Sequence, residues 1–477
     1  MKMNFSTLTL EKVKNHPHWI LVSFGLLNSI ITFCLPMVLV RILSVEDYGL
    51  YKTFFTILLF IPFMSMSGGP LNSLYYWLNQ KNDISKMIKA NYALQVILGL
   101  CFFILSILVV SFTQVLDEFE LKTKFFLIII GIISCPTAYF SEYLIAKGET
   151  FKGSILYLIF EIIKVLGFIF TAYFYDLNTL FIFYFFYNIT CFVFSIIMGI
   201  KYNIIGVNFS GSHLIKAVSY SLPLSFSAFV FYFIERVDHL FLIKFFTVED
   251  YAFYAVGCLV FPPILILETS FQKNLIPRLT NYIYSRDIES VNSLIKWYIN
   301  RTSSLMIPIA IFTFFFSDQI ITFLYGEKFQ DAGKYLQLFS ITYLLPIIPY
   351  DSIQRSSNNT KSILLKSVQI LLIYLTVLFI TGPYLNQTEV LTISLLGKIL
   401  YRLYIFYSGT KTINLFLSIP YLELFIYTFF SLVCLFLVLS FQSMLTNTII
   451  TSGIAYCLLY SLLFYIRHRF FRDKETS

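Results

Sequence analysis

The chain has 477 residues, of which 58% are hydrophobic and 13% charged, and its formal net charge is +8. A soluble domain carries roughly a quarter charged residues, so the composition excludes a water-soluble globular protein and points to an all-α polytopic membrane protein. The positive balance sits mainly in short connections, where it reports topology and gives no reason to expect nucleic acid.

Lys2, Glu11, Lys12 and Lys14 precede the first apolar run. With no short hydrophobic segment and no small-residue cleavage site there, no cleaved signal peptide is expected. Runs of about 20 apolar residues then recur to the end of the chain, and roughly fourteen transmembrane helices are expected. They centre on 19–40, 51–77, 91–112, 125–146, 153–174, 180–200, 214–243, 252–272, 297–317, 333–352, 363–383, 390–410, 420–441 and 446–466. Pro62 and Ser67-Gly68-Gly69-Pro70 interrupt the second, and Pro346 and Pro349 the tenth. Such breaks are tolerated kinks in a static protein and bends in a carrier.

Charge gives an independent check on that order. Connections on one side hold only Arg41, Lys52, Lys122, Lys124, Lys244, Lys328 and Lys334 as basic residues, together with the acidic Asp117-Glu118-Phe119-Glu120. The termini and the remaining connections hold the rest, among them Lys81, Lys86, Lys89, Lys147, Arg278, Arg355 and Arg467. By the positive-inside rule both termini are cytoplasmic.

An eleven-residue stretch occurs twice. Arg41-Ile-Leu-Ser-Val-Glu-Asp-Tyr48-Gly49-Leu-Tyr51 returns 203 residues later as Lys244-Phe-Phe-Thr-Val-Glu-Asp-Tyr251-Ala-Phe-Tyr254. Each copy lies between two long apolar runs. Asn82-Asp83-Ile84 and Arg286-Asp287-Ile288 follow at an offset of 204. An even number of helices separates the copies, so a parallel duplication is expected. Residues 1–205 would form one six-helix lobe, 206–412 its pseudo-twofold partner around a central cavity, and 413–477 an appended helix pair with a basic cytoplasmic tail. Alternating-access carriers are commonly built this way.

Four cations fall inside expected helices: Lys164, Arg236, Lys398 and Arg402. Each costs roughly 2.5–3.5 kcal/mol at a helix centre and so demands a reason. Lys164 follows Glu161 by one turn, which allows a self-neutralising pair. Glu235, Asp238 and His239 share a face of the seventh helix, and Arg236 projects about 100° away from it. Lys398 and Arg402 lie one turn apart beside Tyr401, with no acid between them on the helix, so they either line a wet cavity or snorkel to the interface. Glu142 and Glu268 are lone acids near helix ends that would take a proton, balance a cation or sit at the interface.

Seven cysteines (Cys34, Cys101, Cys135, Cys191, Cys258, Cys434 and Cys457) are dispersed with no C-x-x-C, against zinc or a disulfide framework. His16 and His18 have no metal-binding companion. No P-loop, G-x-S-x-G, H-E-x-x-H or dinucleotide fingerprint is present, so an enzyme is not expected.

The first repeat loop, from Pro36 through Arg41, Tyr48, Gly49 and Tyr51, resembles that of the polysaccharide-biosynthesis flippases. These are the Wzx-like O-antigen and capsule repeat-unit translocases of the multidrug/oligosaccharidyl-lipid/polysaccharide (MOP) exporter superfamily. Asp238 through Lys244, Tyr251 and Tyr254 resemble the end of the family's seventh helix, with Ala252 where glycine is usual. The resemblance implies transport of undecaprenyl-diphosphate-linked oligosaccharide from the cytoplasmic to the periplasmic leaflet of a bacterial inner membrane, alongside other polysaccharide-assembly membrane proteins. It makes the buried cations Lys164, Arg236, Lys398 and Arg402, with Tyr401, sensible contacts for a diphosphate. Glu142, Glu161, Asp238, His239 and Glu268 are the candidates for coupling or charge pairing. No cofactor is implied, and H+ or Na+ remains open as the coupling ion. A drug or metabolite exporter and a lipid II flippase share the superfamily. A membrane polysaccharide polymerase, a different class, fits less well because no large outer loop is present.

Overall fold

The computed structural model describes residues 17–64, 68–78, 83–112, 119–357, 359–415, 418–440 and 449–472, and no strand occurs among them. The charged N-terminal residues before 17, residues 65–67 of the second interruption, and Asp117 and Glu118 lie outside them.

The chain divides into two compact units, Met1–Ala252 and Phe253–Ser477. The first holds α1 (Pro17–Ile42), α2 (Val45–Met64), α3 (Gly68–Leu78), α4 (Ile84–Phe112), α5 (Leu121–Ala146), α6 (Thr150–Phe174), α7 (Leu177–Lys201) and α8 (Gly211–Phe245). Helix α9 (Val248–Gly257) spans the division. The second unit continues with α10 (Pro262–Tyr284), α11 (Ile288–Phe315), α12 (Ser317–Tyr325), α13 (Gly333–Phe339) and α14 (Ser352–Ser356). It ends with α15 (Thr360–Thr381), α16 (Gln387–Thr412), α17 (Tyr421–Ser440) and α18 (Ile449–Arg472). The lobe boundary expected at 205/206 and the packing boundary at 252/253 do not coincide, because α8 packs on α2, α3 and α4.

Among the described residues, seven helices are long and apolar enough to cross a membrane, or up to nine if each of two bent pairs is one span. The seven are α1, α5, α6, α7, α15, α16 and α17. The pairs α9/α10 and α11/α12 bend by 52° and 79°. The chain is a multi-pass membrane protein. The expected tenth span is not one helix: α13 gives way to a 3-10 turn at Ser340–Ile347 that contains Pro346, and α14 starts only at Ser352. A proline removes a helix N–H and clashes with the preceding turn, so two of them close together stop the run.

The duplicated loop is a helix start. Ser44 Oγ accepts from the Asp47 N–H at 3.0 Å and donates to its carboxylate at 2.7 Å. Thr247 repeats both contacts with Asp250, at 3.2 and 2.8 Å. These are N-caps, and the paired acids of each first turn face the positive end of the helix dipole. Arg41 and Lys244 close the preceding helices, in their last turns, where a cation is favoured. Tyr48 and Tyr251 are fully buried.

Gly49 shows what the first copy needs. A Cβ there would lie 2.4 Å from the Val248 carbonyl oxygen and 2.6 Å from its Cγ1. The two loop copies thus meet backbone to backbone.

The duplication continues beyond the loops. Asp83 and Arg286, also 203 apart, both take positive φ (55° and 58°) just ahead of α4 and α11. The helices themselves start at Ile84 and Ile288, and their first returning bonds, Met87 to the Asp83 carbonyl at 2.9 Å and Val291 to the Asp287 carbonyl at 3.1 Å, keep the offset of 204. Helices α7 and α16 both stop on an asparagine at positive φ, Asn203 (57°) and Asn414 (51°). In each, the following residue bonds back into the last turn, Ile204 to Gly199 at 2.8 Å and Leu415 to Thr410 at 2.9 Å. Asparagine is among the few non-glycine residues that tolerate this conformation.

The breaks are held by buried polar contacts. The Pro70 carbonyl accepts from Ser73 Oγ (2.9 Å) and Asn91 Nδ2 (2.7 Å). Asn91 also bonds Ser73 (3.1 Å) and Tyr139 (3.0 Å), and Ser221 donates to Ser73 at 3.3 Å. Pro308 leaves the Ser304 carbonyl without its helical donor, and the Tyr460 hydroxyl supplies one at 3.0 Å.

Candidate functional site

In the first unit, Glu161 and Lys164 meet at 2.7 Å on α6. Thr32 of α1 donates to the other carboxylate oxygen at 3.0 Å. Glu161 also borders a cavity of about 170 Å³, with Ser134, Tyr157, Tyr187, Asn188 and Cys191 in its wall. Lys164 is therefore neutralised by its own helix. Glu142 on α5 is half-buried, and both it and Glu161 act electrostatically on Tyr157.

The second cluster joins α8 to the loop repeat. Arg236 does not point away from its neighbours: its Nη1 reaches His239 Nε2 at 3.3 Å, because a long guanidinium arm spans the three-residue step. His239 Nδ1 lies 3.3 Å from the Tyr251 hydroxyl, which lies 2.6 Å from Thr56 Oγ1 on α2. Proton positions follow from the chemistry. A guanidinium only donates, so Nε2 must accept, Nδ1 carries the proton, and His239 is the neutral tautomer. Tyr251 accepts that proton's bond and donates onward to Thr56. His239 thus orients Arg236 and ties α8 to α9 and, through Tyr251, to Thr56 of α2. Asp238 beside it is fully buried.

In the second unit the acid missing from α16 arrives from α10. Glu268 Oε1 sits 2.7 Å from Arg402 Nη1, with Gln272 donating to the same oxygen at 3.4 Å. The Arg402 guanidinium also lies 4.9 Å over the Tyr350 ring. The expectation of two cations with no acid is thereby corrected for Arg402, whose partner is 134 residues away. Lys398 is 2% exposed, with Nζ 5.8 Å over Phe339. Tyr401 accepts from Ser367 at 3.4 Å and packs on Tyr350. Nearby, Asp351 and Arg355 pair at 2.6 Å.

Lys52 was not a candidate on sequence, where it falls in a connection. It lies inside α2, half-buried, within the electrostatic reach of Arg236. Its register with Tyr48 and Thr56, one turn to either side, was the available signal. Among the described residues no group of three or more His, Cys, Asp or Glu is placed to hold a metal ion.

The fold of the chain is similar to that of solved transporters of the MOP superfamily. A lipid II flippase, MurJ, in an inward closed conformation superposes with a TM-score of 0.68 at 18% identity, covering 94% of this chain and 99% of its own. An inward-facing multidrug resistance MATE family transporter of the MOP superfamily gives 0.64 at 12% identity, over 81% and 94%. A MOP superfamily transporter from Pyrococcus furiosus gives 0.51 at 12%, over 84% and 95%. At such identities these likenesses establish the fold. No curated protein matches the sequence. Residues 38–334 match the family described as polysaccharide biosynthesis protein, and the chain belongs to that family.

Proposed function

We propose that the chain is a flippase that moves undecaprenyl-diphosphate-linked oligosaccharide repeat units from the cytoplasmic to the periplasmic leaflet of a bacterial inner membrane, for O-antigen or capsule synthesis. The observation that carries this reading is the polysaccharide biosynthesis family match on a chain with a transporter fold. Both termini are cytoplasmic, by the charge distribution. The mechanism is alternating access. Buried cations recognise the diphosphate: Arg236 is held ready by His239, while Lys164 and Arg402 are covered by Glu161 and Glu268 and become available when those pairs open. The same carboxylates, with Glu142, are where a coupling H+ or Na+ would act. The polyprenyl tail stays in lipid, and other polysaccharide-assembly membrane proteins act before and after this step.

The test is genetic. Deleting the gene in its host should abolish surface polysaccharide while lipid-linked oligosaccharide accumulates in the inner leaflet, and the wild-type gene should reverse both. Normal surface polysaccharide in the deletion strain would refute the proposal. The lipid II flippase reading predicts a different phenotype, arrest of cell-wall synthesis and lysis.

A further inference from the structure

The contacts of the last two helices gather at one place on α11. That helix carries Pro308, preceded by Thr302 and Ser304, whose hydroxyls bond back to the Tyr298 and Arg301 carbonyls at 2.8 and 2.9 Å. Proline and hydroxyl back-bonding both bend helices. The carbonyls around the bend take donors from α18: Tyr460 donates to Ser304 at 3.0 Å and Tyr456 to Pro308 at 3.2 Å. Ser304 and Pro308 are one turn apart, and so are Tyr460 and Tyr456 in the opposite chain sense, so the two bonds are successive rungs between antiparallel helices. A phenol has one proton. With Tyr456 donating to Pro308, Ser431 of α17 therefore donates to Tyr456. One turn before Ser304, Tyr427 of α17 donates to Asn300. One turn beyond Pro308, the Phe312 ring lies 5.1 Å from that of Tyr456.

Packing alone does not hold this bend. A cavity of about 520 Å³ lies against it, walled in part by Ser304, Pro308, Phe312, Phe323, Tyr456 and Tyr460. A surface facing a void has no atoms there to resist displacement, which leaves the hydroxyl rungs as the restraint on that side. The inner half of α11 has its own anchor. Tyr298, fully buried, donates to the Pro346 carbonyl at 3.0 Å. Four residues on, the Tyr350 ring covers the Arg402 guanidinium.

We propose that the appended helices α17 and α18 are a brace that sets the bend of α11 at Pro308, and that through Tyr298 this bend positions Tyr350 over the Glu268–Arg402 pair. The rungs are made while α11 is bent and part when it straightens, and the cavity gives it room to do so. The end of the chain thereby governs a moving helix of the second unit. Of the two readouts that test this, transport rests on the flippase reading and amide exchange does not.

The test uses full-length protein, in nanodiscs for hydrogen–deuterium exchange of the α11 amides from 304 to 312, and in proteoliposomes for transport of a fluorescent polyprenyl-diphosphate disaccharide. Tyr460→Phe removes one oxygen and keeps the ring. It should speed exchange about tenfold and slow transport several-fold, and Tyr456→Phe should act in the same direction. Tyr465→Phe, on an exposed ring of the same helix, should match wild type in both. Pro308→Ala gives the Ser304 carbonyl its helical donor back. Exchange in Pro308→Ala/Tyr460→Phe should therefore return to the wild-type rate or below, while transport stays slow because the bend is lost. Tyr298→Phe should slow transport without speeding exchange at 304–312. Unchanged exchange in folded Tyr456→Phe/Tyr460→Phe would overturn the brace, whatever the protein carries. Faster exchange with unchanged transport in that variant, or wild-type transport by Pro308→Ala or Tyr298→Phe, would overturn its role in the transport cycle. No transport by folded wild type would overturn the flippase reading, and the exchange result would still decide the brace.

Discussion

Neutralising Glu268 alone should harm the protein more than neutralising Glu268 and Arg402 together. Arg402 is 7% exposed and the Glu268 side chain 12%, and their charged atoms are 2.7 Å apart. At an effective dielectric near 20, two unit charges at about 4 Å interact by roughly 4 kcal/mol. Glu268→Gln forfeits most of that attraction and takes the carboxylate at 2.7 Å away from a buried guanidinium, a loss of about 3–5 kcal/mol. In Glu268→Gln/Arg402→Met no charge remains to be stranded, and the long apolar side chain keeps much of the packing. The net cost there should fall to about 1–2 kcal/mol. Thermal unfolding of the purified protein in one detergent reads this cycle. The account predicts a melting temperature order of wild type, then the double variant, then either single variant. A double variant as unstable as the sum of the singles would show no coupling, and the buried pair would have to be abandoned.

Two further substitutions test the devices that shape the first unit. Gly49→Ala pushes a Cβ into the Val248 backbone and should cost about 1–3 kcal/mol by overpacking. Gly25→Ala, with nothing within 4 Å of its new methyl, should be neutral or slightly stabilising, and equal melting temperatures for the two variants would refute the close approach. Asn91→Leu removes bonds to Pro70, Ser73 and Tyr139 at the helix break and should cost on the order of 2–4 kcal/mol. An unchanged melting temperature would mean that the network does not hold the break.

Hydropathy made the helices legible because each apolar run long enough to cross a bilayer has little other stable conformation in lipid. The loop repeat was legible for a local reason: Ser44 and Thr247 cap their helices through residues three positions on, well inside one motif. Local patterns failed where the chain turns on distant partners. Glu268 and Arg402 lie on different helices, so the spacing of Arg402 along α16 showed only an absent acid. Arg236 was placed by its projection angle, which ignores the length of its side chain, and so its bond to His239 was missed. Lys52 was read as a loop residue because a charge at the edge of an apolar run looks interfacial, although α2 begins at Val45. In the tenth expected span the break that Pro346 and Pro349 mark was legible, and the structure gives it its form, an α-helix that turns 3-10 from Ser340.

The most direct test of the account is transbilayer movement in proteoliposomes. A fluorescent polyprenyl-diphosphate disaccharide placed in the inner leaflet should become accessible to an impermeant reagent outside when the protein is present, and should stay protected in empty vesicles. A labelled phosphatidylglycerol in the same vesicles should not move faster than in protein-free controls. Folded protein that leaves the disaccharide lipid protected, with and without a proton or sodium gradient, would contradict the assignment as a flippase of lipid-linked sugars.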